Sequence, residues 1–217
     1  MYLGSSQLGV NQFSAVMYID DIGHLHLAQR HIHLHLRKAG TSADSASSLC
    51  CLDAVLVLKG PDGVREVPIS KWYTGPGRTV RNHDEVLTAI RIKKENYQGY
   101  GGQYIKYGKR NAMEIATLGC AVRVKLSEDK KRIEDVRLGY GVAGPTPLRC
   151  RKAEEALKGC EVTDSEAILE FGRDALTEVN PRSSWRASKE FRLQLIEELS
   201  KRALVEAIKI AGGKVNA

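Results

Sequence analysis

Five of the six histidines in the chain fall within residues 24–35. In HIHLHL they alternate with apolar residues, so a β-strand would place His31, His33 and His35 on one face. Neutral imidazoles are good metal ligands, which makes a metal site one interpretation. Residues 24–38 hold no cysteine or carboxylate to complete a defined geometry. We therefore favour a segment of biased composition and predict no metal ligand.

The five cysteines also lack the spacing of a metal site or a disulfide framework. Their number is odd, and no CxxC pair occurs among Cys50, Cys51, Cys120, Cys150 and Cys160. The adjacent pair stands in the apolar stretch SLCCLDAVLVL, which is typical of buried small side chains. The sequence thus offers no cysteine ligands for a zinc ion or an iron–sulfur cluster.

Spacing alone assigns no catalytic residue. The motifs GxSxG, HExxH and GxxxxGKS/T do not occur, and the glycine-rich GYGGQ at 99–103 does not fit GxGxxG. Asp44 stands where a helix cap is expected. Lys106, in YIKYGKR, is interpreted as an outward-facing lysine on a predicted strand. On these grounds the chain is a globular protein without a recognisable site.

The distribution of charged and apolar residues argues against nucleic acid and membrane as partners. The chain carries 33 Lys and Arg against 26 Asp and Glu, and residues 101–217 hold 22 of the former and 17 of the latter. The two signs are mixed and aromatic residues make up only 6%, unlike a nucleic-acid module. No apolar run approaches the roughly 20 residues of a membrane helix. The first ten residues show no secretory signal, so we expect a cytoplasmic protein.

Hydrophobic periodicity predicts two α+β units, with sheets preceding helices. The first unit has a helix at about 43–51, strands at 54–59, 64–67 and 86–93, and a loop at 96–104 that marks the boundary. The second has an antiparallel hairpin followed by three helices. Its hairpin strands are 120–126 and 133–142, and its first and last helices are 151–159 and 188–211. The helix between them is capped by Thr163 and Glu166 and ended by Pro181.

Several segments from Gly40 onward resemble a known family. They are GTSADSA (40–46), YTGPG (73–77), DEVL (84–87), YIKYGKRNAMEIATLGCA (104–121), LGYGVAGPTPLRCRKAEEAL (138–157) and PRSSWRASKEFR (181–192). Their collinear order is similar to that of the FAD-binding subunit of xanthine dehydrogenase, within the molybdenum hydroxylases.

This resemblance implies a fold made of part of a two-lobe FAD-binding domain and a further domain. Residues 40–98 would form the second lobe, an antiparallel sheet with helices. Residues 99–217 would form the flavoprotein C-terminal domain, a small antiparallel sheet packed on helices. The histidine-rich residues 1–39 lie outside the match.

The resemblance also implies a redox function. In the family, electrons from purine oxidation pass through 2Fe–2S clusters to FAD and then to NAD⁺. Molybdopterin and the clusters belong to partner subunits. Carried over by position, Asp44 would hydrogen-bond the hydroxyls of FAD, Leu87 would contact the flavin through backbone and side chain, and Lys106 would lie near the flavin ring.

Two glycine-rich FAD segments of the family, resembling AGGTD and T-x-GGN, have no counterpart before Gly40. Such glycines let backbone N–H groups approach a pyrophosphate closely. We therefore expect a truncated chain with weakened FAD binding. The alternative is a fragment that binds no FAD and acts at most as an interaction partner.

Overall fold

The computed structural model describes residues 17–19, 24–27, 44–110 and 114–215. The helices are α1 (Asp44–Cys51), α2 (Arg151–Leu157), α3 (Ser165–Leu176) and α4 (Lys189–Ile210). The strands are β1 (Met17–Ile19), β2 (His24–Leu27), β3 (Val55–Gly60), β4 (Gly63–Pro68), β5 (Tyr73–Gly75), β6 (Arg78–Thr79), β7 (Val86–Arg91), β8 (Tyr100–Tyr107), β9 (Leu118–Leu126), β10 (Ile133–Gly141) and β11 (Leu148–Arg149).

The first sheet is antiparallel, with the strand order β1-β2-β7-β3-β4. Strands β3 and β4 form a hairpin whose turn, at Pro61 and Asp62, precedes Gly63 with φ +118°. One face of the sheet is apolar and packs with Trp72 and with Leu49 and Cys50 of α1. This core also contains Leu56, Leu58, Val67, Ile69, Leu87, Ile90 and Ile92.

The second sheet is also antiparallel and has the order β11-β10-β9-β8. One face of β9 and β10 is continuously apolar, because alternate residues along each strand point the same way. This face packs against α2, α3 and α4 in the larger core of the protein. Its strand residues are Cys120, Val122, Val124, Leu126, Val136, Leu138 and Tyr140.

The opposite face of the second sheet receives α1 at a glycine. A Cβ added to Gly139 would stand 2.7 Å from the backbone oxygen of Ser47 and 2.9 Å from Sγ of Cys51. The Cys51 thiol donates to the carbonyl of Ala121 at 3.4 Å. Because an eight-residue helix is only marginally stable alone, this packing between two sheets holds α1 in place.

A group of ion pairs connects the two units. Asp53, in the left-handed region at φ 45°, pairs with Arg137 at 3.1 Å and with Arg149 at 2.8 Å. Arg149 also binds the buried Glu154 through both carboxylate oxygens, at 2.8 and 2.6 Å. Each of these charges therefore has a partner of opposite sign, which offsets the cost of its partial burial.

A second carboxylate anchors the loop before β7. Glu85 is 7% exposed and accepts two hydrogen bonds from Arg65, at 2.5 and 2.8 Å, and one from the backbone N–H of Asn82 at 2.6 Å. These bonds, led by that from Arg65, lower the pKa of Glu85 to about 2. The ionised carboxylate is thus the form that the fold selects.

Most predicted elements are confirmed, with differences at their ends. The antiparallel hairpin of β9 and β10 and the long helix α4 appear where expected. Cys50 and Cys51 are buried, as expected of small apolar side chains. The predicted loop at 96–104 is wrong after Gly99, because β8 pairs with β9 from Tyr100 onward. The segment with His31, His33 and His35, interpreted from its sequence as one of biased composition, lies outside the described residues.

The expected start and end of the middle helix are both wrong. Its cap is Asp164 rather than Thr163, because the Asp164 carboxylate accepts from the N–H of Ala167 at 3.0 Å. The helix also ends at Leu176, well before Pro181. The Thr177 hydroxyl binds the carbonyl of Asp174, which stabilises this earlier stop.

The Gly139 contact predicts a large effect from a single methyl group. Gly139→Ala should destabilise the protein by about 1–3 kcal/mol or more, since backbone atoms of α1 would have to move. Gly102→Ala is the matched control in the same sheet, because its Cβ would meet Arg123 at an ordinary 3.5 Å. Urea unfolding of both variants measures the difference, and equal stabilities would contradict the packing described.

The Glu85 contacts predict a stability that depends on pH. A carboxyl whose folded pKa is lowered stabilises the fold above its ordinary value near 4.5, and this contribution is lost as pH falls toward about 2. Glu85→Gln should therefore be less stable than the wild type at pH 7, with the gap narrowing between pH 4.5 and 2. Melting curves across this range test it, with the exposed Glu128→Gln as control; a gap independent of pH would refute it.

Candidate functional site

The fold brings together two of the three residues that the sequence singled out. Lys106 donates from Nζ to Oδ2 of Asp44 at 2.8 Å, although 62 positions separate them in the chain. Their side chains are 35% and 47% exposed, so both are accessible from solvent. A carboxylate and an ammonium group thus meet at the surface where the two units join.

Local structure explains how each group reaches this place. Asp44 is the first residue of α1, where the positive end of the helix dipole favours a carboxylate. Lys106 lies near the end of β8, opposite Gly119 of β9. Alternation along β8 turns Ile105 and Tyr107 to the apolar core and leaves Lys106 on the face toward α1.

Tyr104 shares that face and brings a third polar group close to the pair. Its ring lies over Gly119, where an added Cβ would be 3.0 Å from the hydroxyl. Burial raises the pKa of Tyr104, and the nearby Asp44 carboxylate raises it further, so the hydroxyl keeps its proton. The Asp44 carboxylate also acts on this pKa as a hydrogen-bond acceptor, so the Tyr104 hydroxyl lies close to the Asp44–Lys106 pair.

Two hydrogen bonds connect described residues next to the end of β8. The Glu114 carboxylate accepts from the backbone N–H of Arg110 at 2.5 Å, and the N–H of Thr117 donates to the carbonyl of Tyr107 at 2.8 Å. Glu114 thus contacts the backbone a few residues beyond Lys106.

Leu87 lies apart from this group. It is on β7 opposite Leu58 of β3, is 1% exposed, and belongs to the core of the first sheet. The structure does not bring its side chain to Asp44 and Lys106. Its predicted contact with a flavin stays a prediction.

Sequence reasoning missed Tyr104, Gly119 and Gly139. The alternation in YIKY was a usable signal for Tyr104, since a strand that exposes Lys106 on one face also turns Tyr104 to it. No spacing pattern indicates the two glycines, because their role is to let side chains or a helix from elsewhere come close.

The described residues contain no group of three or more His, Cys, Asp and Glu side chains arranged to hold a metal ion. Nor does any described helix combine the length and apolarity needed to cross a bilayer. The polar groups around Asp44 offer both acceptors and donors to a ligand. The Asp44 carboxylate can accept from hydroxyl groups, Lys106 supplies a positive charge, and the Tyr104 hydroxyl can donate.

Two family models match the chain in sequence order. Residues 35–94 match the FAD binding domain in molybdopterin dehydrogenase, and residues 103–207 match the CO dehydrogenase flavoprotein C-terminal domain. Asp44 and Leu87 fall in the first match and Lys106 in the second.

Known proteins agree with these models. The chain is 42% identical over 175 residues to the xanthine dehydrogenase FAD-binding subunit of Escherichia coli O157:H7, which covers 81% of this chain and 59% of that protein. It is 30% identical to the carbon monoxide dehydrogenase medium chain of Hydrogenophaga pseudoflava, over 70% of this chain and 52% of that one. The reconstituted CO dehydrogenase of Oligotropha carboxidovorans superposes with a TM-score of 0.76 at 27% identity, over 82% of this chain and 61% of that one.

The chain therefore belongs to the family of FAD-binding subunits of molybdenum hydroxylases, which confirms the resemblance and the fold class predicted from the sequence. It spans about 59% of the length of the xanthine dehydrogenase FAD-binding subunit that it matches.

The exposure of the Asp44–Lys106 pair predicts that it contributes little to folding. Asp44→Asn and Lys106→Met should each change the free energy of unfolding by less than about 1 kcal/mol, as is usual for solvent-exposed ion pairs. Chemical denaturation at two salt concentrations measures this. A loss above about 2 kcal/mol in either variant would show that the pair is structural and would weaken its candidacy as a binding site.

Proposed function

We propose that the chain is the FAD-binding subunit of a xanthine dehydrogenase-type molybdenum hydroxylase. In this role it would pass electrons from 2Fe–2S clusters on a partner subunit, through FAD, to NAD⁺ during purine oxidation. The observation that carries the proposal is the contact of Asp44 with Lys106. Each of the two matched family domains supplies one of these residues, so a cofactor at the pair would be held by both.

The residues around the pair fit FAD in their donors and acceptors. Asp44 would accept hydrogen bonds from cofactor hydroxyls through its carboxylate oxygens. Lys106 would hold a positive charge where negative charge develops on reduction. Tyr104, kept neutral by its burial, would donate a hydrogen bond from its hydroxyl group. When bound, FAD supplies the electron and hydride chemistry, while the protein positions it and tunes it.

We retain Leu87 as a proposed cofactor contact through its backbone. Its side chain is buried in the core of the first sheet, so its backbone N–H and carbonyl are the groups that we propose for this contact. No residue of this chain is proposed to act as a catalytic acid, base or nucleophile.

We further propose that the chain works in the cytoplasm beside a molybdenum-binding subunit, which carries molybdopterin, and a 2Fe–2S subunit. The family relationship supports these partners. The five cysteines are all free, and four of them are buried, which suits a reducing compartment.

A second candidate function is a chain that binds no FAD and acts at most as an interaction partner. It is favoured by the lack of a counterpart, before Gly40, to the two glycine-rich FAD segments of the family. The two candidates differ in one property, the flavin content of the purified chain.

A flavin titration tests the proposal. We expect the purified chain to take up FAD, with a visible flavin absorbance, and Lys106→Met to weaken binding by about tenfold and to lower the reduction potential, since a charge-assisted contact is lost. Lys59→Met, at an exposed lysine on β3, is the control and should bind as the wild type does.

A wild-type chain that stays colourless at high FAD concentration would support the second candidate instead. Wild-type affinity and potential in Lys106→Met would remove Lys106 from the site.

A further inference from the structure

Arg123 carries a positive charge that no carboxylate in the described part of the chain balances. Within that part, its side chain makes one hydrogen bond, from Nη2 to the carbonyl of Tyr97 at a long 3.3 Å. Nε is shielded from solvent and has no hydrogen-bond partner among the described residues. A shielded guanidinium without an opposite charge is costly, because burial removes its hydration. Burial is also the main cause that lowers the pKa of Arg123.

A second guanidinium beside Arg123 makes its charge more costly. Arg137 lies on β10 directly opposite Arg123 of β9. The guanidinium carbons of Arg123 and Arg137 lie 5.3 and 5.2 Å from the centre of the Tyr100 ring. Arg137 is balanced by Asp53 and Asp135, each at 3.1 Å. Arg123 has no such carboxylate among the described residues, so the repulsion from Arg137 adds to the cost of its burial.

The buried Arg192 shows how the same chain satisfies an arginine without a carboxylate. It is 2% exposed and donates to the carbonyl of Thr117 at 3.2 Å, to Oγ of Ser184 at 2.8 Å and to the carbonyl of Arg182. Three acceptors thus surround its guanidinium, whereas the described residues offer one to Arg123. The lack of acceptors is therefore a property of the position of Arg123.

The strand beside Arg123 leaves an approach from solvent. Gly102 of the edge strand β8 pairs with Arg123 across the sheet, and both residues are half-buried. A Cβ added to Gly102 would stand 3.5 Å from Cγ of Arg123 and 3.6 Å from the carbonyl oxygen of Val122. Beyond the chain neighbours of this glycine, no other described atom comes within 4 Å of that position. A small anion can therefore reach the guanidinium over the glycine.

Arg123 shares a sheet face with the Asp44–Lys106 pair. Alternation along β9 places Gly119, Ala121 and Arg123 on one face, and Lys106 lies opposite Gly119. Four residues separate Gly119 from Arg123, which corresponds to about 13 Å along a strand. An anion at Arg123 would thus lie at the other end of the face that carries Lys106.

We propose that Arg123 anchors a binding site for a phosphate group, with Gly102 as the open side of the site. A guanidinium suits this ligand because its planar N–H groups match the oxygens of phosphate. The phosphate supplies the negative charge that Arg123 lacks within the described residues. Two sources offer this chemistry, the diphosphate of a dinucleotide cofactor and a free phosphate compound. The site stands apart from the proposed function, since an anion alone would fill it.

Pyrophosphate binding to the full chain tests the proposal. Isothermal titration calorimetry with inorganic pyrophosphate should give a Kd that rises by about tenfold or more in Arg123→Gln, since a charge-assisted contact is lost. Arg123→Lys keeps the charge but not the planar group, so its Kd should lie between the two. Arg78→Gln, at an exposed arginine on β6, is the control and should bind as the wild type does. Equal affinity in the wild type and Arg123→Gln would overturn the site, as would a wild type that binds no pyrophosphate.

Melting temperatures separate a binding role from a structural one. Without added anion, Arg123→Gln should melt at the wild-type temperature or above it, because the substitution removes a charge that has no partner. Pyrophosphate should raise the melting temperature of the wild type but not that of Arg123→Gln. A marked loss of stability in Arg123→Gln without anion would contradict the proposal, since it would show that the guanidinium serves packing.

FAD and riboflavin distinguish the two sources of the phosphate. If the diphosphate of the cofactor fills the site, Arg123→Gln should weaken FAD binding by about tenfold and leave riboflavin binding unchanged, and pyrophosphate should compete with FAD. If a free phosphate compound fills it, pyrophosphate should bind the FAD-loaded chain with an unchanged Kd. A wild-type chain that takes up no FAD, but whose pyrophosphate binding is lost in Arg123→Gln, would count against the proposed function and support the phosphate site.

Discussion

The packing of α1 on the second sheet is the contact on which the candidate site depends. Gly139 has no side chain, so the backbone of Ser47 and the thiol of Cys51 can lie directly on β10. The helix is too short to be stable alone. Its first residue, Asp44, reaches Lys106 because α1 packs this closely against β10. A glycine on one unit thus sets the position of a carboxylate on the other.

The same helix joins the two hydrophobic cores. Leu49 and Cys50 face the first sheet, whereas Cys51 meets the second sheet at Ala121 and Gly139. The ion pairs of Asp53 with Arg137 and Arg149 follow directly after the helix and bond the same two units. The site at the N-terminus of α1 is therefore supported from both sides.

The sequence predicted the elements well where a hydrophobic period was clear, as in β9, β10 and α4. It failed where local signals competed. Glycine and tyrosine at 99–104 indicated a loop, but pairing with β9 extends a strand through Gly101, where α4 packs too closely for any side chain. Thr163 and Asp164 are both good caps, and only the geometry of the chain selects Asp164. The family resemblance named Asp44, Leu87 and Lys106, yet no pattern indicated that Asp44 and Lys106 touch, since that contact depends on Gly139.

The proposed site is a joint property of two units, in which a carboxylate from one and an ammonium group from the other would act on the same ligand. A double-mutant cycle for FAD affinity, with Asp44→Asn, Lys106→Met and the double variant, tests this most directly. We expect the effects of the two substitutions not to be additive, with a coupling free energy of about 0.5–3 kcal/mol. Effects that add within about 0.3 kcal/mol would show that the two residues act independently, and would contradict a single site formed at their contact.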